Sequence, residues 1–245
     1  MEPALTGKGI VTYVARVPGL SFENVRLVER GRHDVCLYSE RSDELVLNVT
    51  TNCSTVQEAL DMSLVVASDV LDDLALCLHQ PISGPERTGF CLKKAPAEVG
   101  SSGQYTIQSS LTSAYKAESL PVTLTSSKTL SLLANLPPAD TTRKGRRQLY
   151  RAALNTEEPL ARFMLLYGIL LQICHDDQKK VDDCICGIRP ETLRYETRSG
   201  HKETVFTGLR NRLGHGRPDW SVGSLVHEAS TLVSDFAEIV AEAIG

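Results

Sequence analysis

The chain has 245 residues, 42% hydrophobic and 23% charged, with a formal net charge of −4. Those values describe an ordinary globular protein of one large or two modest domains, and they exclude collagen-like, disordered and strongly basic chains. Aromatic residues make up only 5%, so a reader of single strands built throughout on stacked bases is not indicated.

Met1-Glu2-Pro3-Ala4 has no basic n-region and no long apolar core after it, so no secretory signal is expected. No run approaches the ~18 apolar residues of a membrane span. Seven cysteines are an odd number without disulfide-scaffold spacing, which fits a reducing, cytoplasmic setting.

In the first half, residues 10–17 (IVTYVARV) are β-branched and end at Pro18-Gly19, the pattern of a strand. Residues 34–38 and 44–50 predict two more strands. Ser54 and Thr55 then stand before Gln57 and Glu58 as a capping box. Val56, Leu60, Leu64, Val70, Leu71, Leu74 and Leu78 follow at helical period up to Pro81. Residues 81–89 read as a turn-rich connection, 90–93 as a short strand and 95–103 as a loop. Strands are predicted over 105–115 and 121–125. This half carries no Gly-rich phosphate loop, no Cys-x-x-Cys and no metal-ligand spacing. Its expected class is a binding or regulatory α+β domain over residues 1–136.

Leu136-Pro137-Pro138-Ala139-Asp140 is the best linker, and a helical bundle is expected over residues 141–245. Residues 140–245 carry 15 Lys and Arg against 15 Asp and Glu, so any nucleic-acid contact there has to be local. The first helix, capped by Thr141 or Thr142, runs to about Asn155. It places Arg143, Lys144, Arg146, Arg147 and Arg151 near its start, where cations oppose the helix dipole. Arg143, Lys144, Arg146 and Arg147 are therefore candidate phosphate contacts, and a solvated face is the plain alternative. The next helix has Pro159 in its first turn and is apolar nearly all round from Leu160 to Ile173, as a central core helix is. Cys174, His175, Cys184 and Cys186 contain zinc-ligating residue types, but at no standard spacing. No metal or cofactor is expected. Residues 187–200 read as a polar loop, and residues 221–244 as a long amphipathic helix.

A helix over about residues 202–215 carries the chemistry. Thr204, Val205, Leu209 and Leu213 keep its apolar period until Gly214, Gly216 and Pro218 stop it. Within it lie Arg210, Asn211 and His215, with Arg217 just beyond as a further candidate RNA contact. Residues four apart share a helix face, so Asn211 and His215 are expected as neighbours, with Arg210 long enough to reach them. An imidazole at a helix C-terminus is suited to proton transfer near neutral pH. A guanidinium fork is suited to the charge that grows on a phosphate. An ordinary C-terminal cap is the alternative for His215. The loose arrangement of an arginine shortly before a histidine recurs at Arg26 with His33 and at Arg194 with His201. Only Arg210 is followed by a polar Asn and sits on a predicted helix.

Arg210-Asn211-x-x-x-His215 resembles the active-site motif of the HEPN superfamily. The segment from Pro159 to Tyr167, with Gln178-Lys179-Lys180-Val181-Asp182, is similar to the MauJ-type proteins of methylamine-utilisation clusters. The resemblance implies an all-α C-terminal domain that forms a homodimer through its bundle. It further implies metal-independent RNA cleavage at Arg210, Asn211 and His215 of both copies, leaving a cyclic phosphate. The alternative it leaves open is a non-enzymatic dimeric interaction or accessory protein, linked to methylamine utilisation.

Overall fold

The computed structural model describes residues 7–30, 33–94, 106–108, 122–137, 140–197, 200, 202–215 and 221–245. It is an α+β protein that divides into two compact units, Met1–Leu74 with Gln80–Leu136, and Ala75–His79 with Pro137–Gly245.

In the first unit, β1 (Gly7–Arg16) pairs antiparallel with both β5 (Glu44–Cys53) and β6 (Glu86–Lys94). Outside β5 lie β4 (His33–Tyr38) and β3 (Val25–Arg30), and outside β6 lies β7 (Thr106–Gln108). Period-two alternation buries Val11, Tyr13 and Ala15 on one face of β1. Helix α1 (Val56–Leu78) lies against that face, where Tyr13 Oη and Ser63 Oγ share a hydrogen bond at 2.8 Å. Gly9 permits the approach, because a Cβ there would stand 3.1 Å from that of Ala59. The start of α1 has the expected chemistry. Thr55 Oγ1 accepts from the Glu58 amide at 3.1 Å, and Glu58 Oε2 accepts from the Ser54 amide at 2.7 Å. A two-stranded parallel pair, β2 (Leu20–Phe22) with β8 (Val122–Leu124), leads into α2 (Ser126–Ala134).

Several sequence expectations shift here. The short strand expected at 90–93 begins at Glu86, inside the stretch read as a connection. Of the strand expected over 105–115 only Thr106–Gln108 is described, and the loop at 95–103 lies outside the described residues. Helix α2 has no counterpart among the predicted elements.

The second unit contains α3 (Thr141–Leu154), α4 (Pro159–Ile173), α5 (Gln178–Ile188), α6 (Val205–His215) and α7 (Val222–Ile244). Asp140, not a threonine, caps α3, accepting from the Arg143 amide at 2.8 Å. The carboxylate also offsets the cations of that first turn. Ser221 caps α7. The all-α expectation is corrected by a hairpin, β9 (Arg194–Glu196) with β10 (Lys202–Thr204), in what read as a polar loop and the start of the motif helix.

Helix α4 packs on α3 and α7 but is not buried all round. Phe163, Leu166, Tyr167, Ile169 and Leu170 face the core, while Met164 and Leu165 are exposed. The core centres on Phe236 of α7, with ring centroids 5.0 Å from Phe163, 6.1 Å from Tyr167 and 4.6 Å from Phe206. Tyr150 of α3 is fully buried, and its hydroxyl donates to the Ala237 carbonyl at 3.1 Å. Burial holds that phenol well above its ordinary range. Among the described residues, no helix is long and apolar enough to cross a membrane.

Candidate functional site

The site is built on α6, and α6 is started by Thr204. Its hydroxyl accepts from the Thr207 amide at 3.2 Å, the bond of an N-cap residue to the third helical position. The Thr204 amide donates to Asp182 Oδ1 of α5 at 2.9 Å. Both residues are buried, so the helix start is fixed to α5 by a satisfied polar contact. Helix α6 begins at Val205, three residues after the start expected at about residue 202, because Lys202–Thr204 pair with β9 as a strand.

One turn further on, Phe206, Thr207 and Leu209 are buried, while Arg210 and Asn211 are half-buried at the edge. Asn211 is the centre of a network. Its Oδ1 accepts from Gln178 Nε2 of α5 at 2.7 Å and from Arg210 Nη1 at 3.1 Å. Its Nδ2 donates to Glu203 Oε2 of β10 at 2.8 Å. Tyr167 of α4 shares a hydrogen bond with Thr207 Oγ1 at 3.0 Å and lies within bonding reach of Gln178. The Arg210 guanidinium carbon sits 5.9 Å from the Tyr167 ring centroid, a cation–π distance. Burial raises the Tyr167 pKa, against the lowering effect of its bonds to Thr207 and Gln178. The phenol is therefore a neutral floor for the arginine at physiological pH.

The effect of these contacts is to fix the Arg210 side chain. A free arginine samples many rotamers, whereas this one is held on one side by an amide and on another by a ring face. One donor goes to Asn211, and among the described residues no other side chain takes a hydrogen bond from the fork. Asn211 uses both ends of its amide inside the network, and its Oδ1 holds the Arg210 guanidinium in place. Gln178, Glu203 and Tyr167 were not among the sequence candidates. Their partners lie 33, 8 and 40 residues away along the chain, and no local pattern joins them.

His215 is the last residue of α6, and its side chain lies outside the described residues, as does all of Arg217. The basic cluster of α3 separates. Lys144 is exposed and Arg143 and Arg146 are half-buried, but Arg147 is 3% exposed and its Nη2 donates to the Pro137 carbonyl at 2.9 Å. Arg147 therefore holds the entry to α3 and is corrected as a phosphate contact. Arg26 and Arg194 both lie in strands, so of the three arginine-before-histidine arrangements only that of Arg210 is helical. His227 of α7 is exposed.

Among the described residues no group of three or more His, Cys, Asp and Glu side chains could hold a metal ion. Cys174, which caps α4, neighbours Cys184 of α5. Burial first, and then the neighbouring Cys184, push the Cys174 thiol from the ordinary 9.0 up to about 11. The sign of the consequence is set by linkage. Between pH 9 and about 11 the unfolded chain releases this proton while the folded one keeps it, so stability is expected to fall as pH rises through that window. Urea midpoints from pH 8 upward should decline less steeply in Cys174→Ala than in the parent. Identical slopes would show that the thiol is not held in its protonated form by the fold.

Comparison of the chain with family models, with curated proteins and with solved structures finds no match.

Proposed function

We propose that the second unit is a HEPN-type domain and that its α6 segment forms half of a metal-independent endoribonuclease site. The observation that carries this reading is the network that orients Arg210 on a helix ending at His215, with Asn211 between them. Preorganised donors aimed at developing charge are the largest catalytic term in many enzymes. A guanidinium held by Asn211 and Tyr167 loses little freedom when it takes a phosphate oxygen.

The reaction is attack of a ribose 2′-oxygen on the adjacent phosphorus. One imidazole accepts the 2′-hydroxyl proton as the new P–O bond forms. The 5′-oxygen leaves as its P–O bond breaks and takes a proton from an acid. The products are a 2′,3′-cyclic phosphate and a 5′-hydroxyl. One His215 cannot be base and acid in the same step, so a symmetric dimer bringing two copies together supplies both, with Arg210 from each on the phosphate. Arg143, Lys144 and Arg146 are assigned to binding the flanking RNA backbone. The setting proposed is the cytoplasm, in keeping with cysteines that are all free.

The second reading is a dimeric accessory protein without catalysis, of the kind the MauJ resemblance suggests. It is favoured by the use of both ends of the Asn211 amide inside the fold. The two readings part in one assay, in which an oligoribonucleotide is incubated with the protein in excess chelator. The nuclease reading expects cleavage with cyclic-phosphate ends and a dimer by light scattering. A dimer that leaves single-stranded and structured RNA intact would favour the accessory role.

A further inference from the structure

The hairpin of β9 and β10 sets two exposed apolar side chains beside the Asn211 network. Tyr195 is 55% exposed and Leu193 is 66% exposed. Tyr195 stands directly opposite Glu203 in the ladder. The Val205 amide donates to the Leu193 carbonyl at 3.1 Å, so the pairing continues one step past β9. Directly opposed residues rise from the same face of a hairpin, and residues two apart along a strand share that face. Leu193, Tyr195 and Glu203 are therefore on one side. From Glu203 the path to the cation is two hydrogen bonds, Asn211 Nδ2 to Glu203 Oε2 at 2.8 Å and Arg210 Nη1 to Asn211 Oδ1 at 3.1 Å.

The support under this face is anchored. Arg194 and Thr204, the neighbouring pair of the ladder, belong to the other side. Arg194 Nε donates to Cys186 Sγ at 2.9 Å and Nη2 to the Asp182 carbonyl at 3.3 Å, while the Thr204 amide bonds the Asp182 carboxylate at 2.9 Å. An aromatic ring on an anchored hairpin, paired across the ladder with the carboxylate that joins the Asn211 and Arg210 network, has the layout of a stacking platform next to a phosphate site.

We propose that Tyr195 stacks on a nucleobase adjoining the phosphate that Arg210 holds, with Leu193 widening the platform, and that the substrate is unpaired RNA. The proposal rests on the endoribonuclease reading and names its substrate class. A base within a duplex has both faces covered by its neighbours, so only a splayed base can lie on the ring. The sparse aromatic composition argues against a protein lined with stacked bases, but one ring beside the reacting phosphate is a smaller requirement.

The test uses the full chain carrying His215→Ala, so that RNA is bound without being cut. The probes are a labelled unpaired oligoadenylate and the same strand annealed to its complement. Tyr195→Ala is expected to weaken binding of the unpaired strand by about 5- to 150-fold and to leave the duplex unaffected. Tyr195→Phe should bind as the parent does. Tyr195→Trp should bind and show emission quenched by the unpaired strand, against a parent whose sole tryptophan is Trp220. Unchanged affinity in Tyr195→Ala would overturn the platform and leave the nuclease reading standing. Failure of every variant, parent included, to bind either probe would overturn the platform together with that reading. A dimer that dissociates in Tyr195→Ala would assign the face to a second copy of the chain and overturn the proposal.

Discussion

Phe236→Ala is expected to destabilise the second unit by about 3–5 kcal/mol. The ring is fully buried and stacks on Phe163 at 5.0 Å and Phe206 at 4.6 Å, with Tyr167 at 6.1 Å. Truncation removes the shared partner of rings from α4 and α6, and the close packing of a core allows only partial collapse around the gap. The damage should also reach the site, because Tyr167 lies under the Arg210 guanidinium and Phe206 is one turn before it. Urea unfolding followed by circular dichroism measures the loss. A change smaller than about 0.5 kcal/mol, the level of an ordinary surface substitution, would show that Phe236 is not the centre of this core.

Arg210→Lys should cost about 10²- to 10³-fold in the rate of RNA cleavage, the scale of losing one preorganised donor to an oxyanion. An arginine can give one donor to Asn211 and present the others in a plane. A lysine has a single compact ammonium on a flexible stem, so it cannot keep the Asn211 bond and clasp a phosphate with the same geometry. The side chain is half-buried at an edge, so the melting temperature should hardly move. Single-turnover rates at saturating RNA separate the chemical step from binding. A lysine variant as fast as the parent would leave Arg210 as a point charge only. Removing the charge of Arg146 should instead weaken binding and flatten its salt dependence, with the saturated rate preserved.

The fold was legible wherever the pattern is local. The capping box at Thr55 and Glu58, the proline opening α4 and the serine opening α7 all act within one turn of their own position. Where the structure depends on partners far along the chain, the pattern falls silent. Glu86-Arg87-Thr88-Gly89 is polar and turn-like by composition, yet it is a strand because β1 offers an edge, with Val14 opposite Glu86 and Tyr13 opposite Arg87. Arg194 to Glu196 is exposed throughout and has no apolar face to mark it as β. Helix α2 opens on Ser126-Ser127 and is started by Thr125 accepting from the Lys128 amide and by Glu23 accepting from the Ser126 amide, the second partner lying far back in the chain.

The candidate site divides in the same way. Arg210 and Asn211 were visible as a spacing on a helix. What holds them was not, because Gln178, Glu203 and Tyr167 come from three other elements. Arg147 shows the converse. Its charge marks it as a surface residue, but its guanidinium is used inside the fold, and only the position of the Pro137 carbonyl reveals that.

Proton transfer on RNA by the α6 segment, as proposed, falls to His215. The direct measurement is the single-turnover cleavage rate of the parent and of His215→Ala, at saturating oligoribonucleotide in excess chelator, from pH 5.5 to 8.5. The parent is expected to cut without divalent ions, with a rate that depends on pH near neutrality, and the variant to be slower by about 10²- to 10⁴-fold. A His215→Ala protein that cleaves as fast as the parent would show that His215 does not transfer the proton.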